Sequence, residues 1–240
     1  MNDYDPRLVD LYDEDNPDGP DHDFYRGLAD ERQAQAVLDL GCGTGILTVT
    51  LAAEGRTVVG VDPSSAMIDF ARARPGSERV TWVVGDSSAA PQAQFDFAIM
   101  TGNVAQHIGD SDWGRTLRDL RDRIGAGGTL AFESRNPAVR AWEDWASDER
   151  TTRQTRHGEL VEWMDVVCTD NRTVQLSAHN QFTRTGEEAT SSQILIFRGR
   201  EEIENHLQTA RFSTEAVYCD WKRTPFDASA RVMVFVARAC

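Results

Sequence analysis

The sequence is nearly without lysine. Of 25 basic residues in 240, only Lys222 is a lysine. A phosphate-binding loop of the G-K-[ST] kind is therefore excluded, and Schiff-base chemistry has one poorly placed candidate. Cysteine is scarce and scattered, at Cys42, Cys168, Cys219 and Cys240, with no C-x-x-C spacing. Reduced thiols are expected, with neither a disulfide framework nor a metal site. No apolar run approaches the roughly 18 residues of a membrane span, and the acidic start, "MNDYDPRLVDLYDEDNPDGPDHD", has no apolar core of a secretory signal. A soluble, cytoplasmic protein without a membrane partner is expected. Cations are also outnumbered: the formal net charge is −14. Phosphate backbones repel such a surface, so nucleic acid is not an expected partner. The arginines of "RTLRDLRDR" (115–123) alternate with acids and read as a solvated helix face with i,i+4 pairs.

What is present is an alternation of strand and helix patterns. Residues 1–35 hold eleven acids against two arginines up to Glu31. They read as either a solvated tail or a lid, with a helix in "DFYRGLADERQ" that Asp23 could cap. Residues 36–136 give five short apolar strands, "AVLDL", "TVVGVD", "RVTWVVGD", "FDFAIM" and "GAGGTLAFES". Helical patterns separate them: "GILTVTLAAEG", "SSAMIDFARAR" and "SDWGRTLRDLRDRI". Strands spaced by helices imply a parallel sheet with right-handed crossovers. Residues 137–199 read as a helix, "AVRAWEDWAS", followed by three alternating strands separated at Asp170-Asn171 and Thr185-Gly186. Residues 200–240 supply one helix and two closing strands. The expected fold is α/β. It has a Rossmann-like, seven-stranded, mostly parallel sheet with helices on both faces, a closing antiparallel hairpin, and an antiparallel β insertion after the fifth strand.

The turn after the first strand, "LDLGCGTGI", has glycines at 41, 43 and 45 and Ile46 where a dinucleotide fingerprint needs its third glycine. Asp39 stands two residues before the first glycine. A carboxylate there is badly placed against a pyrophosphate and well placed against an ammonium group. Asp62, at the tip of the second strand, can accept both hydroxyls of a ribose, and Asp86, just after the third, an exocyclic amine of adenine. Amino acid, ribose and adenine in that order describe S-adenosylmethionine. The motifs "VLDLGCGTG", "VVGVDPSSAMIDFAR", "VVGDSS", "FDFAIM" and "AGGTLAFES" together resemble those of the class I S-adenosylmethionine-dependent methyltransferases, from about Ala36 to Ser134. The resemblance implies a cofactor site. Asp39 orients the turn and the cofactor's amino group. The backbone of Gly41 and Gly43 lies against the methionine moiety, where a Cβ would clash. Asp62 takes the ribose, Met67 touches the adenine face, Asp86 and Ser87 serve the adenine amine, and Met100 and Thr101 line the far side.

The acceptor is expected beyond the fourth and fifth strands. In "MTGNVAQHIGD", Asn103 and His107 are i,i+4, and His107 is the candidate general base. Arg135, Trp142 and, in the insertion, Trp163 are candidate acceptor contacts. The [ND]-P-P-[FYW] signature of amino-methyltransferases acting on nucleic-acid adenine or on glutamine is missing, which agrees with the acidic charge. The reading is in-line methyl transfer, on oxygen or nitrogen, to a small molecule, with S-adenosylhomocysteine as product. The alternative is a regulatory or assembly protein that binds the same cofactor without transferring its methyl. The insertion could cap the acceptor or form a homodimer contact.

Overall fold

A computed structural model describes residues 3–145 and 147–240. Two helices open the chain, α1 (Pro6–Asp15) and α2 (Pro20–Glu31). The core follows as β1 (Ala36–Leu40), α3 (Thr48–Leu51), β2 (Thr57–Asp62), α4 (Ser65–Ala73), β3 (Val80–Val84), β4 (Phe95–Met100), α5 (Val104–His107), α6 (Asp110–Arg123) and β5 (Ile124–Arg135). Four strands then form a separate antiparallel sheet, in sequential order: β6 (Ser147–Thr155), β7 (Gly158–Cys168), β8 (Thr173–Phe182) and β9 (Glu187–Ile196). The chain ends with α7 (Arg200–Thr209), β10 (Phe212–Tyr218) and β11 (Val232–Ala239). The main sheet has the order β10-β11-β5-β4-β1-β2-β3. Strands β1 to β5 run parallel, and β11 is antiparallel to both of its neighbours. This is the α/β architecture expected above.

Strand alternation sends side chains to opposite faces and makes two cores. On one face Leu38, Leu40, Ala98, Met100, Leu130 and Phe132 meet Trp113, Leu117 and Leu120 of α6 and Ile203 and Leu207 of α7. On the other, Val37, Val58, Phe97, Ile99 and Ala131 pack under Phe24, Tyr25 and Leu28 of α2 and Leu51 of α3. Asp39 shares the second face with Val37, and Glu133 shares it with Ala131. Both acids therefore point beneath α2.

Several local expectations are corrected. The helix after the glycine turn keeps only Thr48–Leu51 as regular α-helix. Its β-branched residues lose rotamer freedom in a helix, and Thr50 Oγ1 donates to the carbonyl of Leu47 at 2.6 Å. Helix α2 starts at Pro20 behind Gly19, so Asp23 lies in its first turn and is not its cap. "AVRAWEDW" forms two single-turn 3₁₀ helices, Pro137–Val139 and Ala141–Asp144, broken at Arg140 with φ 48°. The insertion has four strands, because "SDERTTRQT" pairs with β7 as an edge. Its polar sequence carries no apolar alternation to announce it. In α6 the arginine stripe is only partly solvated: Arg123 is buried and donates to the carbonyls of Ala90, Ser88 and Asp119.

Candidate functional site

The glycine turn after β1 has left-handed backbone at all three glycines, with φ +80° at Gly41, +52° at Gly43 and +74° at Gly45. A Cβ on Gly41 would sit 2.4 Å from Val104 Cγ2, and one on Gly45 would sit 2.5 Å from Trp82 Cη2. The space beside Gly43 is open. The chain's own Val104, not only a ligand, forbids a side chain at position 41, and at position 43 it is the backbone conformation that favours glycine. Gly43 N–H donates to Asp62 Oδ2 at 2.9 Å, and Ser64 N–H to Asp62 Oδ1 at 2.9 Å. Asp62 is thus fixed at the lip of the turn, and burial raises its pKa. Asp39 lies beneath, 1% exposed. Its Oδ2 accepts from Thr48 Oγ1 at 2.6 Å, while its Oδ1 has no partner. Burial pushes its pKa up to about 7.

The N-terminal segment folds over this turn. Asp3 accepts from Ser64 Oγ, Ser65 Oγ and Ala66 N–H at 2.5, 2.5 and 3.0 Å. Asp13 accepts from Thr44 Oγ1 at 2.6 Å and pairs with Arg74. Tyr4 and Tyr12 lie between these ties. Burial raises both their pKa values, Tyr4 to about 12, and the charge of Asp62 adds to the shift of each. Leu11 packs against Leu160 and Phe182 of the insertion. Arg153 and Arg156 reach back to Asp15 and Asp10.

Around the far strands the expected adenine residues separate. Met67 is buried in the first turn of α4. Asp86 is exposed, accepts from Ser88 and pairs with Arg115 at 2.8 Å. Ser87 turns its hydroxyl inward to Asp119 at 2.6 Å, so only its backbone remains for a ligand. The Met100 side chain joins the core beneath α6, which leaves Thr101 as the accessible residue at that tip.

At the tips of β4 and β5 a polar cluster forms. Asn103 adopts a left-handed conformation, φ 62°, ahead of α5. Its N–H donates to Glu133 Oε1 at 2.5 Å, and Tyr25 Oη donates to Glu133 Oε2. Gln106, fully buried, accepts from Arg135 N–H at 3.1 Å. The Arg135 guanidinium lies 5.0 Å from the centroid of the Trp145 ring. The loss of hydration in this crowded recess, and then the Arg135 charge, hold the His107 pKa down to about 4, although its edge is open to solvent. Arg198, 1% exposed, locks the loop from behind through the carbonyls of Ala105 and Ile108 and the carboxylate of Asp110. Asn103, His107 and Arg135 are therefore brought together. The two tryptophans are not. Trp142 is core, 4.3 Å from Phe197. Trp163 stacks on His179 at 4.9 Å, on the sheet face opposite to Leu160 and Val166.

Residues 37–128 match a family described as a methyltransferase domain. An uncharacterised methyltransferase of Mycobacterium bovis is 30% identical over 140 residues, 54% of this chain and 69% of that protein. The chain belongs to the class I S-adenosylmethionine-dependent methyltransferases. Magnesium-protoporphyrin O-methyltransferase of Rhodobacter capsulatus is 37% identical over 99 residues, 40% of this chain and 44% of that one, so the match spans under half of that relative. The fold is shared along the whole chain with the CcbJ methyltransferase of Streptomyces caelestis. The TM-score is 0.77 at 23% identity, covering 99% of this chain and 100% of that one.

The residues around the glycine turn fit S-adenosylmethionine. A buried acid with an unpaired oxygen stands ready for an N–H donor, and a second acid sits at the lip of a turn that tolerates no side chain at Gly41. Four residues of the site went unrecognised in the sequence. Thr48 and Gln106 look like ordinary helix polar residues. Tyr25 is one aromatic of several in an acidic segment. Glu133 closes an apolar run, and the weak signal it leaves is an acid at a strand's carboxyl end, where ligands of parallel sheets bind.

Proposed function

We propose that the protein is a cytoplasmic enzyme that methylates a small-molecule acceptor, on oxygen or nitrogen, with S-adenosylmethionine as donor. One observation carries the reading: Asp39 is wholly buried with an unpaired Oδ1 beneath a turn whose lip is Asp62. An orphaned buried carboxylate oxygen is costly and calls for a donor group from a ligand. When bound, S-adenosylmethionine would supply a methyl on a positively charged sulfur for an acceptor lone pair, the sulfur keeping the bonding electrons and the acceptor's proton leaving to solvent.

The chain's own residues then have separable tasks. Asp39 accepts from the amino group. Asp62 has a lone pair left on each oxygen for the ribose hydroxyls. The Tyr4–Tyr12 segment excludes water. Asn103, His107 and Arg135 align the acceptor, with buried Gln106 holding Arg135 in place, and by proximity and orientation this can lower the barrier by roughly 7–11 kcal/mol at best. Loss of hydration, and then the Arg135 charge, lower the His107 pKa and favour its neutral form. It suits hydrogen-bond acceptance from the acceptor better than holding a proton, for which a pKa near the working pH serves best.

Calorimetric titration with S-adenosylhomocysteine, and separately with NAD, tests the reading. Binding of the first is expected, and binding of NAD alone would overturn it. Asp62→Ala should weaken S-adenosylhomocysteine by at least about tenfold through loss of charge-assisted hydrogen bonds. An unchanged affinity removes Asp62 from the site.

A further inference from the structure

The mechanism above leaves one buried charge unused. Glu133 is 2% exposed. Each of its oxygens is held by a fixed donor, Tyr25 Oη from α2 and Asn103 N–H from the turn after β4. Among the described residues no arginine, lysine or histidine forms an ion pair with it; Tyr25, the Asn103 backbone and Asp21 act on its carboxyl. Arg135, two residues along the strand, gives its hydrogen bond to Gln106 and lies over Trp145, and its charge reaches Glu133 without forming an ion pair. A carboxylate buried without a cation is expensive.

Its position is specific. Glu133 fixes the backbone of Asn103, and the next residue, Val104, lies directly over Gly41. Glu133 therefore stands at the seam between the cofactor turn and the acceptor cluster. Asp39 lies on the same sheet face two strands away, in the row Asp39–Ile99–Ala131, and Glu133 is two residues beyond that row. Asp39 keeps a free oxygen for the cofactor's amino group. The donor carries two cationic centres, an ammonium and a sulfonium, and the product only the first. S-adenosylmethionine would therefore bring two cations to a site that holds the buried acids Asp39, Asp62 and Glu133, and S-adenosylhomocysteine only one.

We propose that Glu133 reads the charge on the cofactor's sulfur, favouring the sulfonium donor over the neutral thioether product, with Tyr25 and the Asn103 backbone holding it in place to do so. The proposal rests on the reading of the site as an S-adenosylmethionine site. The proton affinity of Glu133 agrees with it. Burial raises its pKa to about 7, above the ordinary 4.5, so an arriving positive charge favours the ionised form. After transfer the charge would leave the sulfur with the methyl and then leave the acceptor as a proton to solvent, so this attraction would no longer retain the neutral thioether product.

The test is a titration of the full chain with S-adenosylmethionine, S-adenosylhomocysteine and sinefungin, which carries an amine in place of the transferred methyl. Glu133→Gln keeps an oxygen for Asn103 N–H and an amide for Tyr25, but removes the charge. It should weaken S-adenosylmethionine and sinefungin by about tenfold relative to S-adenosylhomocysteine. Retention of S-adenosylhomocysteine affinity within about threefold shows that the variant's site is folded. Asp39→Asn should weaken all three alike, since all three carry the amino group. Tyr25→Phe, which keeps the carboxylate but frees one oxygen, should lose part of the discrimination. Equal shifts for all three ligands in Glu133→Gln, or none, overturn the proposal. If the wild type binds none of the three, the underlying reading falls, and this one falls with it.

Discussion

At the scale of single residues, the glycine turn shows how a spacing rule and a packing reason differ. The spacing of Gly41, Gly43 and Gly45 with Asp39 and Asp62 was legible in the sequence because the ligand's chemistry constrains it. The reason for Gly41 was not, because it depends on Val104, 63 positions away in sequence and adjacent only after folding. Gly41→Ala forces a Cβ to 2.4 Å from Val104 Cγ2 at a φ of +80°, so two costs add. A loss of about 2–4 kcal/mol of stability is expected in urea unfolding, with a larger than tenfold loss of S-adenosylhomocysteine affinity. A variant as stable as the wild type would contradict the geometry. The tryptophans give the opposite lesson. Trp142 and Trp163 looked alike as pocket walls, yet one is core and the other lies on the far sheet face. Alternation says that neighbours in a strand diverge, not which face is inward, when polar residues populate both sides.

At the scale of elements, short loops are positioned by long-range ties. The segment Asn103–Gly109 has only four helical residues, too few to hold a shape unaided. Arg198, at the junction of β9 and α7, supplies the missing constraint: its guanidinium takes the carbonyls of Ala105 and Ile108 and also lies 4.8 Å from the centroid of Trp113. Arg198→Met leaves these buried acceptors without donors. About 3–5 kcal/mol of destabilisation is expected, measurable in urea. Cofactor affinity should change less than acceptor KM, because the turn at Gly41–Gly45 is not among Arg198's partners. Loss of cofactor affinity with KM unchanged would place the constraint elsewhere. The sequence displayed the parallel core because its strands are apolar runs with punctuated ends. It hid β6, whose polar edge carries no periodic signal, and the 3₁₀ turns near Trp142, whose shape follows from burying the indole.

At the scale of the whole molecule, three buried acids set a pH dependence, for burial raises the pKa of Asp62 as well. Asp39 and Glu133 both have pKa values raised to about 7, mainly by burial. Glu133 and Asp62 add their charge at Asp39, and Asp21 of α2 adds its charge at Glu133. Between about pH 4 and pH 7 the ligand-free folded protein therefore holds protons that the unfolded chain has released. These groups stabilise the fold below that window, and their contribution is lost as pH rises through it. Glu133→Gln has no such proton to lose at this site. Its Tm relative to the wild type should rise between pH 5 and pH 8 without ligand, in scanning calorimetry at matched ionic strength. A gap that stays constant would show that Glu133 does not titrate in this range. Saturating S-adenosylmethionine should diminish the effect, because a bound cation favours the ionised acids.

The cover over the cofactor turn has a consequence in time as well as in space. Asp3 and Asp13 find their partners 61 to 63 and 31 to 61 residues further along the chain, and Asp15 meets Arg153 after 138. Made before every group that holds it, this segment has nowhere to dock until the sheet and insertion stand. Its docking therefore carries the closure cost of long loops. Its hold on the turn is thus shared between ion pairs and hydroxyl contacts at the surface and the burial of Leu11 against Leu160 and Phe182.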